Sequence, residues 1–341
     1  MRSLFALPAG PGPRYWIATR AALSIGVPLL ALTLLGRPDL GLQAGAGAFV
    51  ALFAASAGAA ERAKVLPIVG GVLFVSAALG VLLAPSHVGF AVGLVCVAVT
   101  VSAFAFGYRL GPPGPVFFVL IYGLAGTITA VRDGARVNEP GVFLATLGGG
   151  ILFSYLVALT PLLLRSERAR QVRSLSDLLP GPWMGPGERE LLLRVVVVAV
   201  VGTVVSVLWL DPSRAYWTVS AGVAVVGLSA VRSHSLGRGL HRTVGTLLGA
   251  CVYLVIAPLG ANPLLLVVLL TALQFSIEVV VVRNYALALV FITPLVLFIT
   301  GAATGGADHW ATASERVFDT AVGSAIAILS ALLHRSQARP N

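Results

Sequence analysis

The chain has 341 residues, 57% of them hydrophobic and 11% charged, with a formal net charge of +10 and a mean hydropathy of +0.95. Soluble domains carry roughly 25% charged residues, so this composition excludes a soluble globule. It also excludes a spanning β-barrel, whose segments alternate over about 10 residues, because here apolar runs of about 20 residues fill most of the length.

The opening residues, MRSLFALPAGPGPRYW, have too short an apolar core for a secretory signal and are interrupted by Pro-Gly steps, so they read as a retained cytoplasmic tail. Apolar spans then follow at 15–35, 41–60, 65–84, 88–107, 114–131 and 141–164, and after a linker at 191–210, 212–231, 238–257, 263–282, 285–301 and 314–333. The expectation is an all-α fold, a polytopic transmembrane helical bundle of about 12 spans with short loops. Cys96 and Cys251 lie within apolar runs and read as small buried packing residues.

Lysine and arginine set the orientation. Arg37, Arg132, Arg136, Arg214 and Arg316 fall on one side, and every other Lys and Arg, from Arg2 to Arg339, falls on the other. The richer side is read as cytoplasmic, with both termini there and the chain in the inner (plasma) membrane. The positive charge is thus a topology signal, and no nucleic-acid partner is implied.

The chain repeats at an offset of about 174–175 residues. Arg20 maps to Arg194, AGAGAF at 44–49 lies near VSAGVA at 219–224, Gly70 maps to Gly245, the turn at 107–109 to that at 282–284, and Gly148 to Gly323. Each half holds an even number of spans, so the halves are expected as two parallel six-helix repeats about an axis along the membrane normal. The domains are 1–165, a cytoplasmic basic linker at 166–190, and 191–341. The linker, basic and amphipathic at first and Pro/Gly-rich later, reads as a tether on the anionic inner leaflet or as a regulatory surface.

The most informative run is YWTVSAGVAVVGLSAVRSHSLGRGLHRTVGTLLG at 216–249. An apolar helix leads into a basic turn, and the next helix carries Arg238, Arg242, Gly245 and Gly249 within about 60° of one another. That is a cationic mouth continuing into a glycine stripe, open to close approach by a helix or a ligand.

Ionisable groups within spans are default site candidates. Arg20 and Arg194 sit about one turn inside the first helix of each half, as snorkelling residues or as part of a path. Glu278, one turn after Gln274, pairs with an arginine of a neighbouring helix or relays protons. Glu315 fits a capping box with Thr312, whereas Asp319 either pairs with Arg316 or lines a cavity beside Thr320 and Gly323. Arg283, Asn284 and Tyr285 form a turn before a helix broken at Thr293 and Pro294, and Tyr122 and Gly123 mark a comparable break in the first half. Tyr216 and Trp217 follow an Asp211-Pro212 helix start and read as outer-interface anchors or as a stacking surface for an aromatic substrate. His234 and His241 lack ligand companions, so no metal is expected. With no phosphate-loop pattern and no catalytic set, no catalytic residue, no cofactor and no enzyme activity are expected.

YWTVSAGVAVVGLSAVRSHSLGRGLHRTVGTLLGA, VVRNYALALVFITPLVL and ERVFDTAVG together resemble the repeat signature of the fusaric acid resistance (FUSC-like) proteins. These belong with the aromatic acid exporters and are distantly similar to plant aluminium-activated malate channels. The resemblance covers most of the second half and the first half weakly. It implies a membrane transporter exporting small organic anions such as aromatic carboxylates. It places Arg238, Arg242, Gly245, Arg283, Asn284, Tyr285, Arg316 and Asp319 in the functional core. The first half carries Arg62 and Lys64 in place of Arg238 and Arg242, so an asymmetric path is expected. Its driving force is either the proton gradient, with Asp319 or Glu278 titrating, or the membrane potential, worth about 2.3 kcal/mol per charge per 100 mV. Passive anion channel and non-transporting membrane scaffold are the rival readings. The expected partners are a small organic anion and the lipid bilayer with its anionic inner leaflet, with a homo-oligomer allowed.

Overall fold

The computed structural model describes residues 14–229, 231–304 and 308–333. The N-terminal tail with Arg2, and Arg335 and Arg339 near the other terminus, lie outside the described residues. The first half contains α1 (Tyr15–Leu34), α2 (Pro38–Gly47), α3 (Ala59–Leu83), α4 (His87–Gly107), α5 (Val116–Ile128) and α6 (Pro140–Leu159). The second contains α7 (Pro186–Trp209), α8 (Ala215–Val226), α9 (Arg232–Ile256), α10 (Pro263–Val280), α11 (Tyr285–Thr304) and α12 (His309–Leu333). A two-residue hairpin pairs Val131–Arg132 with Ala135–Arg136 between α5 and α6. Among the described residues, 7 helices are long and apolar enough to cross a membrane: α1, α3, α4, α6 with its 3-10 extension, α7, α9 and α10.

Local chemistry sets many of the boundaries. Proline occupies the first turn of α2, α6, α7 and α10, where its missing N–H is no loss. Ser86, Glu139 and Asn262 cap α4, α6 and α10 by accepting from backbone amides.

Two of the expected spans are interrupted. The run 41–60 is helical only to Gly47, then a 3-10 turn over Ala48–Leu52, and extended at Phe53. The run 212–231 begins with a 3-10 turn, Pro212–Arg214, capped by Asp211, and α8 stops at Val226 before Gly227 at φ +63. All 12 residues of α8 are buried, so the apolar pattern that reads as a membrane crossing is that of an interior helix.

Carbonyls at helix ends and in the turns between helices need donors where the backbone leaves the regular ladder, and arginines serve several of them here. Arg20 donates to the Ala55 carbonyl, Arg62 to those of Ala57 and Ala158, and Arg238 to that of Ala224. Two expected breaks do not occur: α11 runs through Pro294, which removes only its own amide, and α5 runs through Tyr122 and Gly123. Tyr122 instead donates its hydroxyl to the Phe90 carbonyl at 2.7 Å.

The same helix pairs meet in both halves. Helix α1 lies on α2 and α6 as α7 lies on α8 and α12, and α3 lies on α5 and α6 as α9 lies on α11 and α12. Between the halves the contacts exchange: α1 packs on α10 and α7 on α4, while α5 meets α8 and α2 meets α11. A Cβ on Gly150 would collide with the Ala44 carbonyl, and one on Gly323 with the Thr218 carbonyl. Gly150, rather than Gly148, is therefore the packing counterpart of Gly323. Gly70 and Gly245 do not match either, since Gly70 rests on Ile151 of α6 and Gly245 on the Ala286 carbonyl of α11.

The centre is apolar. Where the turn after α2 meets α5 and α11, Phe49, Leu120, Leu124, Val296, Ile299 and Thr300 leave a void of only about 10 Å³, smaller than one water needs. Cys96 and Cys251 are exposed on the outside of the bundle, which corrects their reading as buried packing residues. They share apolar helices, but on the faces that no other helix covers.

The linker is docked. Arg173 pairs with Glu61 at 2.7 Å and its carbonyl accepts from Lys64 at 2.7 Å. Ser174 caps the short turn Leu175–Leu178. Hydrogen bonding by Ser174 holds the Asp177 carboxyl below its ordinary range, and hydrogen bonding to Glu61 raises Arg173. Arg109 lies over the Trp183 ring at 4.9 Å, and the Trp183 amide donates to the Gly107 carbonyl. A cleft of about 290 Å³ opens where the linker meets α3, lined by Glu61, Glu167, Arg170 and Arg173 among others.

Gly323→Leu is expected to abolish the monodisperse folded peak in detergent size-exclusion, or to lower the unfolding midpoint sharply, since overpacking costs about 1–3 kcal/mol even where neighbours can shift. Gly149→Leu, whose Cβ would meet open space, should behave as wild type. Glu61→Gln should free the linker, seen as faster trypsin cleavage at Arg165, Arg168 and Arg170 than in the wild type.

Candidate functional site

Several charged residues of the second half, Arg238, Arg242, Arg316, Asp319 and Arg214 with its carboxylates, form one column between α8, α9, α11 and α12. At its foot Arg238 places its guanidinium over the Tyr285 ring, 4.6 Å from the centroid. One turn deeper on α9, Arg242 is 6% exposed and donates through Nη1 to the Tyr285 hydroxyl at 2.7 Å. Arg316 of α12 comes next, 4% exposed, within electrostatic range of Arg242, Tyr285 and Tyr216. Its guanidinium lies over the Trp217 ring at 5.0 Å. Asp319, one turn further along α12, is 1% exposed. At the far end Arg214 holds Glu315 at 2.6 Å and Asp211 at 3.4 Å. Asp319 Oδ2 is 3.9 Å from Arg214, too far for a hydrogen bond.

Many polar atoms in the middle of this column have no hydrogen-bond partner. They include Arg316 Nε and Nη1, Arg242 Nε, Trp217 Nε1, Asp319 Oδ2, and the hydroxyls of Thr218, Thr320 and Ser324. Buried polar groups are normally satisfied, and an unpaired charge among apolar helices is the costliest exception. The arrangement offers guanidinium donors beside aromatic faces, which is the chemistry that receives an anion with a planar apolar body.

The sequence brings these residues together locally. Steps of four, three and four residues put Arg238, Arg242, Gly245 and Gly249 on one face of α9, and that face meets α11. Gly245 sits against the Ala286 carbonyl and Gly249 against Leu289 and Thr293. The stripe therefore admits a helix. Thr293 is buried at that contact, and Asn284 caps α11 by accepting from the Leu287 amide at 2.9 Å. Arg283 is exposed on the turn before it.

Other expected residues lie elsewhere. Glu278 pairs with Arg14 at 3.4 Å, tying α10 to the residue before α1 and away from the column. Arg20 is half-buried and occupied by Ala55. Arg194 is fully buried and donates to Ser235 at 2.7 Å.

Two sequence readings are corrected. Tyr216 and Trp217 are 1% and 3% exposed and are not interface anchors, because α5, α7 and α12 enclose α8. Gly123 leaves the space that the Tyr216 ring fills. Glu315 is not part of a capping box: Asp308 caps α12, accepting from the Ala311 amide and the Thr312 hydroxyl, and Glu315 is bound to Arg214. Asp319 approaches Arg214 at 3.9 Å and has Arg316 within electrostatic range as well. The sequence reading does not single out Arg214 as a column member or Arg62 as a donor to carbonyls. Only the Asp211-x-x-Arg214 spacing hints at either.

The first half has no matching column. Aligning the Gly150–Ala44 contact with the Gly323–Thr218 contact, Phe143 stands where Arg316 does, Thr146 where Asp319 does, and Gln43 where Trp217 does.

Fold and site together define a multi-pass α-helical membrane protein with a polar column in its second half. Residues 191–330, which contain that column, match the model of the fusaric acid resistance protein-like family. The chain is also 34% identical over 122 residues to the uncharacterized membrane protein YvaC of Bacillus subtilis (strain 168). That match covers 36% of this chain and 19% of the relative, so the chain spans only a small part of the relative's length. No solved structure matches the chain.

Trp217→Phe should remove the fluorescence component most protected from both acrylamide and brominated lipid. An equal accessibility of all tryptophans would contradict its enclosure.

Proposed function

We propose that the chain moves small organic anions, aromatic carboxylates in the first place, across the inner membrane and out of the cell, without enzyme chemistry. The observation that carries the reading is Arg316: buried, stacked on Trp217, and with two nitrogens unserved. Arg238 and Arg242, stacked and bonded on Tyr285, supply a first station for the carboxylate, and Arg316 a second. The match of residues 191–330 to a family described by resistance to an organic acid supports the same reading.

In this proposal about 12 helices serve as spans or half-spans, arranged as two parallel repeats, and the exchanged contacts between α1 and α10 and between α7 and α4 support that symmetry. The end carrying Arg14, Arg109, Arg173 and Arg238 faces the cytoplasm with both termini, as the lysine and arginine bias requires. The anionic inner leaflet then borders the docked linker, and the anion loads at Arg238. The column lies in one half only, so one path serves the whole chain.

Asp319 is the column's own carboxylate and therefore the proton-coupling candidate, while Glu278 is committed to Arg14. Purified protein in liposomes, with radiolabelled benzoate as the probe, tests the proposal. Protein-dependent flux is expected, reduced by about tenfold or more, equivalent to about 1.4 kcal/mol, in Arg242→Gln and in Arg316→Gln. Arg37→Gln, at an exposed pair with Asp39, should retain full flux. Flux indistinguishable from empty liposomes overturns transport in favour of a scaffold. A current linear in potential and indifferent to a pH gradient assigns a passive channel.

A further inference from the structure

Arg20 and Arg194 hold matching positions in α1 and α7, yet their surroundings differ. Arg20 has the Ala55 carbonyl. Arg194 is 0% exposed, donates Nη2 to Ser235 Oγ at 2.7 Å, and leaves Nε and Nη1 without a hydrogen-bond partner. Among the described residues no ion pair reaches it. Glu190, one turn earlier on α7, contributes charge from a distance but no contact.

A guanidinium taken wholly out of solvent without a counter-charge is strongly unfavourable. Ser235 accepts from Arg194, which leaves its own hydroxyl proton free to donate. It sits in the first turn of α9, where the helix dipole adds positive potential. Leu191, Val195, Val198 and Ala199 bury the rest of this face of α7. Two unserved guanidinium nitrogens and a hydroxyl proton beside apolar walls, with the Glu190 carboxylate out of hydrogen-bond contact, suit a ligand that only accepts and carries no carbon skeleton.

We infer that Arg194 and Ser235 hold a small inorganic anion of chloride size, a fixed counter-ion between α7 and the foot of α9. This site is separate from the Arg242 and Arg316 column, and it stands whether or not the column transports. Because α9 also carries Arg238 and Arg242, the ion fixes the helix on which the column begins.

The full chain in detergent is unfolded thermally in chloride, in bromide and in gluconate at one ionic strength. The midpoint should be higher by a few degrees in chloride and bromide than in gluconate. Arg194→Gln and Ser235→Ala should lose that difference, while Arg242→Gln keeps it. Crystals grown in bromide should show an anomalous peak beside Arg194. Equal midpoints in chloride and gluconate for the wild type overturn the inference, as does an undiminished difference in Arg194→Gln. Should that variant not fold, an undiminished difference in Ser235→Ala, together with no bromide peak in the wild type, overturns it.

Discussion

Inside a membrane every backbone carbonyl must find a donor from the protein itself, and this fold depends on arginines to meet that demand. Helix α8 ends just after the buried Ala224, and Ala55 and Ala57 lie in the half-buried turn that leads from the 3-10 segment after α2 into α3. Arg20, Arg62 and Arg238 reach their carbonyls. The same residue type thus serves two ends. Where a carbonyl is present the guanidinium is satisfied and structural, and where none is present, as at Arg316, the charge is left over for a ligand.

That distinction gives the second half its character. Arg238 does both: its Nε serves Ala224 and its flat face covers Tyr285. Arg242 gives Nη1 to Tyr285, and Arg316 lies over the π-face of Trp217 with Nε and Nη1 unpartnered. Satisfaction by protein groups thus decreases along the column, until the carboxylates around Arg214 restore it at the far end. The first half, with Phe143 in place of the deep arginine, closes the equivalent space with hydrocarbon.

Helices α1, α4 and α10 are readable in the sequence because their apolar runs stop at Gly36-Arg37-Pro38, Ser86 and Asn262-Pro263, where local chemistry alone decides the boundary. The ends of α2 and α8 are not readable. Their apolar composition continues past the break, and the partners that permit the break come from distant helices. The α9 stripe is legible because 3.6-residue periodicity fixes it, whereas the Arg214 cluster joins a turn before α8 to α12, which no periodicity reveals. Trp217 shows the limit most plainly: an aromatic beside a helix start looks the same in sequence whether lipid or Arg316 covers it.

The contacts of Gly150 with Ala44 and of Gly323 with Thr218 set backbone against backbone. Most helix pairs are held in register by interlocking side chains that act like gear teeth; at these two crossings a backbone carbonyl takes the place of a tooth, with only the small Ala221 Cβ beside Gly323. Helix α12 carries Arg316 and Asp319 only one to two turns from such a point, so backbone contact gauges the depth of both charges. Helix α6 has the same contact and bears no charge at the matching depth.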